Sequence, residues 1–263
     1  MDPQLNMYSY LLEIIAFIFG ICIGSFLNVC IYRLPASKSI VHPRSMCPEC
    51  ENMIRSYDNI PILSYLLLKG KCRHCDAVIS FRYPLIEIIT GAFALFVFLK
   101  FGFTLEGLIY FAFISSMIVI TLIDIDHRII PDVISIPGIP VFFAASFALP
   151  AITYIDSLIG ILAGGGSLLL IAWLYNLITK KDGMGGGDIK LLAMIGALIG
   201  WKGVLFTIFV SSAVGTVSGI IIMLLTKKNM KLAIPFGPFL AFGAVLYIFY
   251  GSRLIHWYLN LLR

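Results

Sequence analysis

The sequence predicts an all-α polytopic membrane protein with about eight transmembrane helices. Three observations lead there. The 263 residues are 60% hydrophobic and only 13% charged, with a mean hydropathy of +0.98, so most of the surface must face lipid rather than water. The apolar residues fall into runs of helix length. One long polar loop, after the first run, interrupts this pattern.

The first run, 8–32, is longer than the apolar core of a signal peptide. The segment before it carries Asp2 rather than lysines and offers no small-residue cleavage site. It is read as a retained first helix. Seven further runs follow at 84–100, 105–123, 133–149, 155–178, 189–201, 204–226 and 233–259. The run 189–201 is short for a bilayer, so its end is expected to lie inside protein or to be extended by flanking residues. Eight crossings put both termini on one side.

The basic residues choose that side. Of the 19 lysines and arginines, 15 lie in 33–82, at Arg128, at Lys180, Lys181 and Lys190, or in 227–231. The positive-inside rule places these loops in the cytoplasm and the termini outside. The net charge of +5 follows from the same bias. A basic surface against an anionic leaflet accounts for it, so membrane lipid is the expected neighbour and nucleic acid is not. No internal repeat or low-complexity segment is apparent. The chain divides into an N-terminal part, 1–104, with the first helix, the polar loop and the second helix, and a six-helix part, 105–263.

The polar loop carries Cys47-Pro-Glu-Cys50 and Cys72-Arg-His-Cys75. Four thiolates paired in this way can close a tetrahedral zinc site, and a loop too small for its own core gains folding free energy from the metal. Disulfides, free thiols and an iron–sulfur cluster are the other readings, and a cytoplasmic location disfavours the first. Zinc at Cys47, Cys50, Cys72 and Cys75 therefore adds a cytoplasmic zinc-binding loop to the fold class. His42 and His74 read as surface residues beside four thiols. Cys22 and Cys30 lie about 12 Å apart along the first helix at 1.5 Å per residue, too far to bridge, and read as packing residues.

Two aspartates stand at the mouths of very apolar helices: Asp124 in Thr-Leu-Ile-Asp-Ile-Asp-His-Arg-Ile-Ile-Pro and Asp188 in Gly-Met-Gly-Gly-Gly-Asp-Ile-Lys. An ionisable group at membrane depth costs at least a few kcal/mol and is a functional candidate by default. A pair suggests acid/base work. Hydrolysis of a peptide bond by two carboxylates needs one to take a proton from water and one to polarise the carbonyl, and like charges held close share a proton. Asp188 begins its helix, where free N–H groups and the dipole favour negative charge. Gly185, Gly186 and Gly187 leave room for a substrate backbone. The bland alternatives are a helix cap for Asp188 and an interfacial side chain for Asp124.

Other acids read differently. Asp132, after Pro131, has N-cap chemistry, and Asp126 and His127 read as solvated. Glu87, one turn into the second helix, suits either a buried function or a helix-to-helix hydrogen bond. The stretch from Gly183 to Asp188 lacks the Lys-Ser/Thr of a phosphate-binding loop. Gly24, Ser25 and Asn28 share a helix face suited to close packing with interhelical hydrogen bonds.

Together, Gly24-Ser-Phe-Leu-Asn-Val-Cys-Ile-Tyr-Arg-Leu-Pro35, the paired Cys-x-x-Cys, Arg82-Tyr-Pro-Leu-Ile-Glu87, Asp124 seven residues before Pro131, and Gly185-Gly-Gly-Asp188 resemble the bacterial type IV prepilin peptidases, also called leader peptidase/N-methyltransferases. The resemblance runs through most of the chain in the family's order. The Gly-x-Gly-Asp motif is also similar to that of presenilin-type intramembrane aspartyl proteases. The resemblance implies an aspartyl endopeptidase of the bacterial inner membrane, acting at its cytoplasmic face. Such an enzyme removes the short basic leader of type IV prepilins or type II secretion pseudopilins, after glycine and usually before phenylalanine. It then methylates the new N-terminus with S-adenosylmethionine. The family's catalytic aspartates fall on Asp124 and Asp188 and its loop cysteines on Cys47, Cys50, Cys72 and Cys75. No motif marks the methyl-donor site, for which Glu87 is the candidate. A different aspartyl protease of the preflagellin type would share the aspartates but not the cysteine loop. An ion-coupled transporter would call for inverted symmetry among the spans, and none is visible.

Overall fold

The computed structural model describes residues 3–180, 185–226 and 235–261; Lys181, Gly183, Met184 and the basic segment 227–231 lie outside the described residues. The apolar runs are helical where described, apart from 147–149 at the end of one run and 235–236 before the last helix. The helices are α1 (Pro3–Arg33), α2 (Leu63–Leu67), α3 (Arg82–Phe101), α4 (Leu105–His127), α5 (Asp132–Ser146), α6 (Tyr154–Thr179), α7 (Gly186–Thr226) and α8 (Gly237–Leu261). By length and composition, α1, α3, α4, α6 and α7 can each cross a membrane, while α5 and the apolar part of α8 are shorter. The chain forms two compact units, Met1–Val119 and Ile120–Arg263.

In the first unit α1 packs on α3 through small residues. A Cβ at Gly24 would stand 2.7 Å from the Glu87 Cα, and one at Gly20 would stand 2.7 Å from the Gly91 Cα, so the two backbones touch where larger residues would hold them apart. Asn28 Nδ2 donates to the Tyr83 carbonyl at 3.1 Å. The predicted close face of α1 therefore does pack with an interhelical hydrogen bond. Between the helices, the polar loop folds into two knuckles joined by a single helical turn, Ser56–Asn59, and α2.

In the second unit α7 is the central helix, flanked by α5, α6 and α8. Its first half is the short run 189–201, and the structure supplies the reason such a run suffices. Leu191, Leu192, Met194, Ile195, Ala197 and Leu198 have no exposed surface, so this half is enclosed by protein. Gly200 then adopts φ 68°, ψ 179° inside the helix, a conformation open to glycine and strained for other residues. The chain kinks there and continues as 201–226, so two predicted runs form one bent element. α6 and α7 lie in contact at Gly160 and Gly196, with Ser157 Oγ donating to the Ala197 carbonyl at 2.6 Å. A Thr153–Asp156 capping box starts α6, and Trp201 Nε1 donates to Asp156 Oδ1 at 3.2 Å, just past the kink. These contacts fix the helix that carries Asp188 in its first turn.

Candidate functional site

Asp124 sits in the last turn of α4 and is 4% exposed. Its Oδ2 accepts the backbone N–H of Gly237 at 3.0 Å. Gly237 opens α8, where the first N–H groups have no partner within the helix, and the carboxylate takes one of them. A Cβ at Gly237 would stand 2.7 Å from Asp124 Oδ2, so a side chain there would push the carboxylate from this position.

Asp188 is the third residue of α7 and is half-buried. It lies within electrostatic range of Asp124. The two carboxylates proposed from sequence are thus brought together by the start of α7 and the end of α4. Beside Asp188, a Cβ at Gly187 would meet Ile130 Cβ at 2.9 Å, whereas a Cβ at Gly185 or Gly186 would meet nothing within 4 Å among the described residues. Ile130 also stands 3.5 Å from a Cβ placed on Gly237, so one apolar side chain borders both aspartates' glycines. Among the described residues, space is left beside Gly185 and Gly186.

Asp132 departs from its expected role. Pro131 is the N-cap of α5 and no side chain caps that helix. Asp132 instead pairs with Lys190, Nζ to Oδ1 at 2.7 Å and to Oδ2 at 2.9 Å, because Lys190 lies in the first turn of α7, across from the start of α5. This pair joins the two helix starts two residues from Asp188. Asp126 and His127 are exposed, as solvated residues would be. Gly237 was not singled out from sequence, although a glycine between Phe236 and Pro238 is a helix-start signal.

The cysteines form the second constellation. The knuckles are built alike: Cys47 N–H donates to Asn52 O and Glu51 N–H to Cys47 O, as Cys72 N–H does to Ala77 O and Asp76 N–H to Cys72 O. Met46 bridges to Met53 and Lys71 to Val78, and Glu51 and Asp76 take the same positive φ, 55° and 56°. The loop therefore contains a short structural repeat, 46–53 and 71–78, that the sequence hides because little beyond the cysteines is shared. All four Sγ atoms lie within 4.8 Å of one another, with Cys47–Cys75 at 3.8 Å and Cys50–Cys72 at 4.0 Å. Four sulfurs about 2.3 Å from one tetrahedral zinc stand about 3.8 Å apart, so the set fits zinc. All six cysteines are free thiols, which removes the disulfide reading. Backbone N–H groups of His74 and Cys75 hold the Cys72 thiol down to about 7, toward the thiolate a metal needs. Arg73, between Cys72 and Cys75, pairs with Asp58 through two nitrogens and keeps that carboxyl below its usual range, tying the second knuckle to the turn at 56–59.

Glu87 is 7% exposed. It accepts the N–H of Ile62 at 2.8 Å and the Ser25 hydroxyl, so the helix-to-helix bond allowed by the sequence is made. The Ile62 bond also reaches the polar loop. Ile62 has φ 59°, a strained state for a β-branched residue, and the buried carboxylate holds its N–H there.

Two family models match the chain in succession, the bacterial peptidase A24 N-terminal domain over residues 18–101 and the type IV leader peptidase family over 111–220. A prepilin leader peptidase/N-methyltransferase of Pseudomonas aeruginosa is 38% identical, over 92% of this chain and 91% of its own. The chain belongs to the type IV leader peptidase family. Relatives of the same description from Stutzerimonas stutzeri, 36% identical over 94% of both chains, and Legionella pneumophila, 32% identical over 96% of both, agree. No solved structure matches the chain. Within this leader peptidase family member, the N-terminal model spans the cysteine knuckles and Glu87, and the peptidase model spans Asp124 and Asp188.

Proposed function

We propose that this protein is a membrane aspartyl endopeptidase that removes the leader of type IV prepilins and N-methylates the new N-terminus. Relatives over nearly the whole chain carry that description, and the observation that supports the mechanism is Asp124, anchored on the Gly237 N–H, within electrostatic range of Asp188. In this reading the pair shares one proton. The ionised carboxylate takes a proton from water as it attacks the scissile carbonyl, and the protonated one gives its proton to the carbonyl oxygen. The open Gly185–Gly186 side admits the extended substrate segment. Gly237 orients Asp124, and Lys190–Asp132 holds the start of α7 in register.

The finer reading follows the same line. The substrate leader is short and basic, with cleavage after glycine and before phenylalanine, and pseudopilins are substrates too. The enzyme lies in the bacterial inner membrane with its aspartates at the cytoplasmic face, where a basic leader is retained by its charge. Zinc, held by Cys47, Cys50, Cys72 and Cys75, is structural and supplies folding free energy to the loop. The peptidase work belongs to 105–263, whereas 1–104 serves methyl transfer from S-adenosylmethionine, with Glu87 acting in that step.

Purified protein incubated with a prepilin tests the reading through the mass of the product N-terminus. The expected product starts after the leader glycine and gains one methyl group only when S-adenosylmethionine is added; an uncut precursor would overturn it. Gly237→Ala should lower cleavage by about one to two orders of magnitude, since overpacking by one methyl costs about 1–3 kcal/mol and falls here on the Asp124 carboxylate. Glu87→Gln should reduce methylation of the cut product while cleavage stays within about tenfold, about 1.4 kcal/mol in the barrier. Equal loss of both activities would leave Glu87 a purely structural role.

A further inference from the structure

A cavity of about 290 Å³ opens in the first unit between α1 and the polar loop. Phe26, Val29 and Arg33 line it from one face of α1, the spacing of three and four residues that shares a helix face. Phe26 lies inside the apolar span and is 47% exposed. Arg33, about 10 Å further along at 1.5 Å per residue, ends the helix. The loop adds Arg44, Ser56 and Asn59 to the lining. The cavity therefore runs from an apolar wall at bilayer depth to a polar rim with two guanidinium groups.

The rim is built rather than casual. Arg33 donates to the carbonyls of Ser39 at 2.9 Å and Pro43 at 2.8 Å, which closes the loop onto the helix end. Arg44 donates to Ser56 Oγ at 2.9 Å, and both residues line the cavity. Among the described residues, no carboxylate does. Two cations without an acid select an anion, and the planar guanidinium fork matches phosphate oxygens.

We propose that this cavity binds the phosphate headgroup of an anionic phospholipid, with the acyl chains passing down α1 beside Val29 and Phe26. A zwitterionic headgroup finds no acid here for its ammonium. The methyl donor is the poorer occupant as well, since its sulfonium and ammonium give it net positive charge. The wall of α1 continues into the bilayer, which gives a lipid a path that a soluble anion would not use.

The test uses the full zinc-loaded chain, purified in neutral detergent from an equimolar mixture of phosphatidylglycerol and phosphatidylcholine, with retained lipid counted by native mass spectrometry. The expected result is about one phosphatidylglycerol per chain in preference to phosphatidylcholine. Arg44→Gln should lower that retention about tenfold with zinc content unchanged. Asn59→Asp, which keeps the shape and adds a negative charge to the wall, should do the same if the first variant loses its metal. Equal retention of the two lipids, or retention unchanged in both variants, would overturn the proposal. So would delipidated protein that takes up inorganic phosphate as tightly as phosphatidylglycerol, which would make the cavity a free-anion site. Displacement of the lipid by S-adenosylmethionine would assign the cavity to the methyl donor instead.

Discussion

Asp124→Asn and Asp188→Asn should each lower prepilin cleavage by at least about 10²–10⁴-fold, the usual contribution of a positioned acid or base, while the protein stays folded in the membrane. Asparagine keeps the shape of the side chain and removes its titratable proton. At position 124 the amide oxygen can still accept the Gly237 N–H, so the start of α8 keeps its partner and the loss falls on chemistry. At position 188 the side chain is half-buried at the first turn of α7, where a neutral side chain is tolerated. Cleavage by purified variants, with zinc content as the folding control, decides the matter. Near wild-type cleavage by either variant would remove the aspartyl mechanism.

Cys72→Ser should abolish stoichiometric zinc binding and leave the segment 34–81 open to protease. The four Sγ atoms lie within 4.8 Å of one another, and a hydroxyl at position 72 withdraws a thiolate that the backbone N–H groups of His74 and Cys75 already favour. Zinc binding in such small modules is worth about 10–16 kcal/mol and is largely folding free energy, so the effect on the loop should be close to all-or-none. Elemental analysis of the wild-type chain should give about one zinc, against far less in the variant. A metal-free wild-type preparation with a protease-resistant loop would overturn the structural role. Brief EDTA treatment should leave cleavage intact, because the aspartates themselves supply acid and base.

How much of this was legible in the sequence depends on whether the signal was local. Apolar runs give helices because lipid leaves backbone groups no other partner, so the helical character was readable, although the eight expected runs include two that form one bent helix and five helices are long and apolar enough to cross a membrane among the described residues; the four clustered cysteines were readable as well. The burial of 189–201 was legible only as a short run. The kink at Gly200 that joins it to 204–226 was not legible, since a glycine among apolar residues also reads as helix packing. Asp132 was read as a cap because capping is a local rule, whereas its partner Lys190 lies 58 residues away. Gly237 was passed over for the same reason: its N–H meets Asp124 across 113 residues, and only the folded chain brings α8 to the end of α4. Glu87 was flagged as a buried acid, but its bond to a strained Ile62 could not be read from a helical pattern.

The central claim is that two carboxylates with one proton between them do the hydrolysis, and the pH dependence of kcat/KM for cleavage tests it most directly. At low pH both carboxyls are protonated and no base remains; at high pH both are ionised and no acid remains. The account therefore expects a bell-shaped profile with zinc content constant across it, both limbs belonging to the pair rather than to either residue. A profile that rises with pH and keeps its plateau, needing only a deprotonated base, would contradict it.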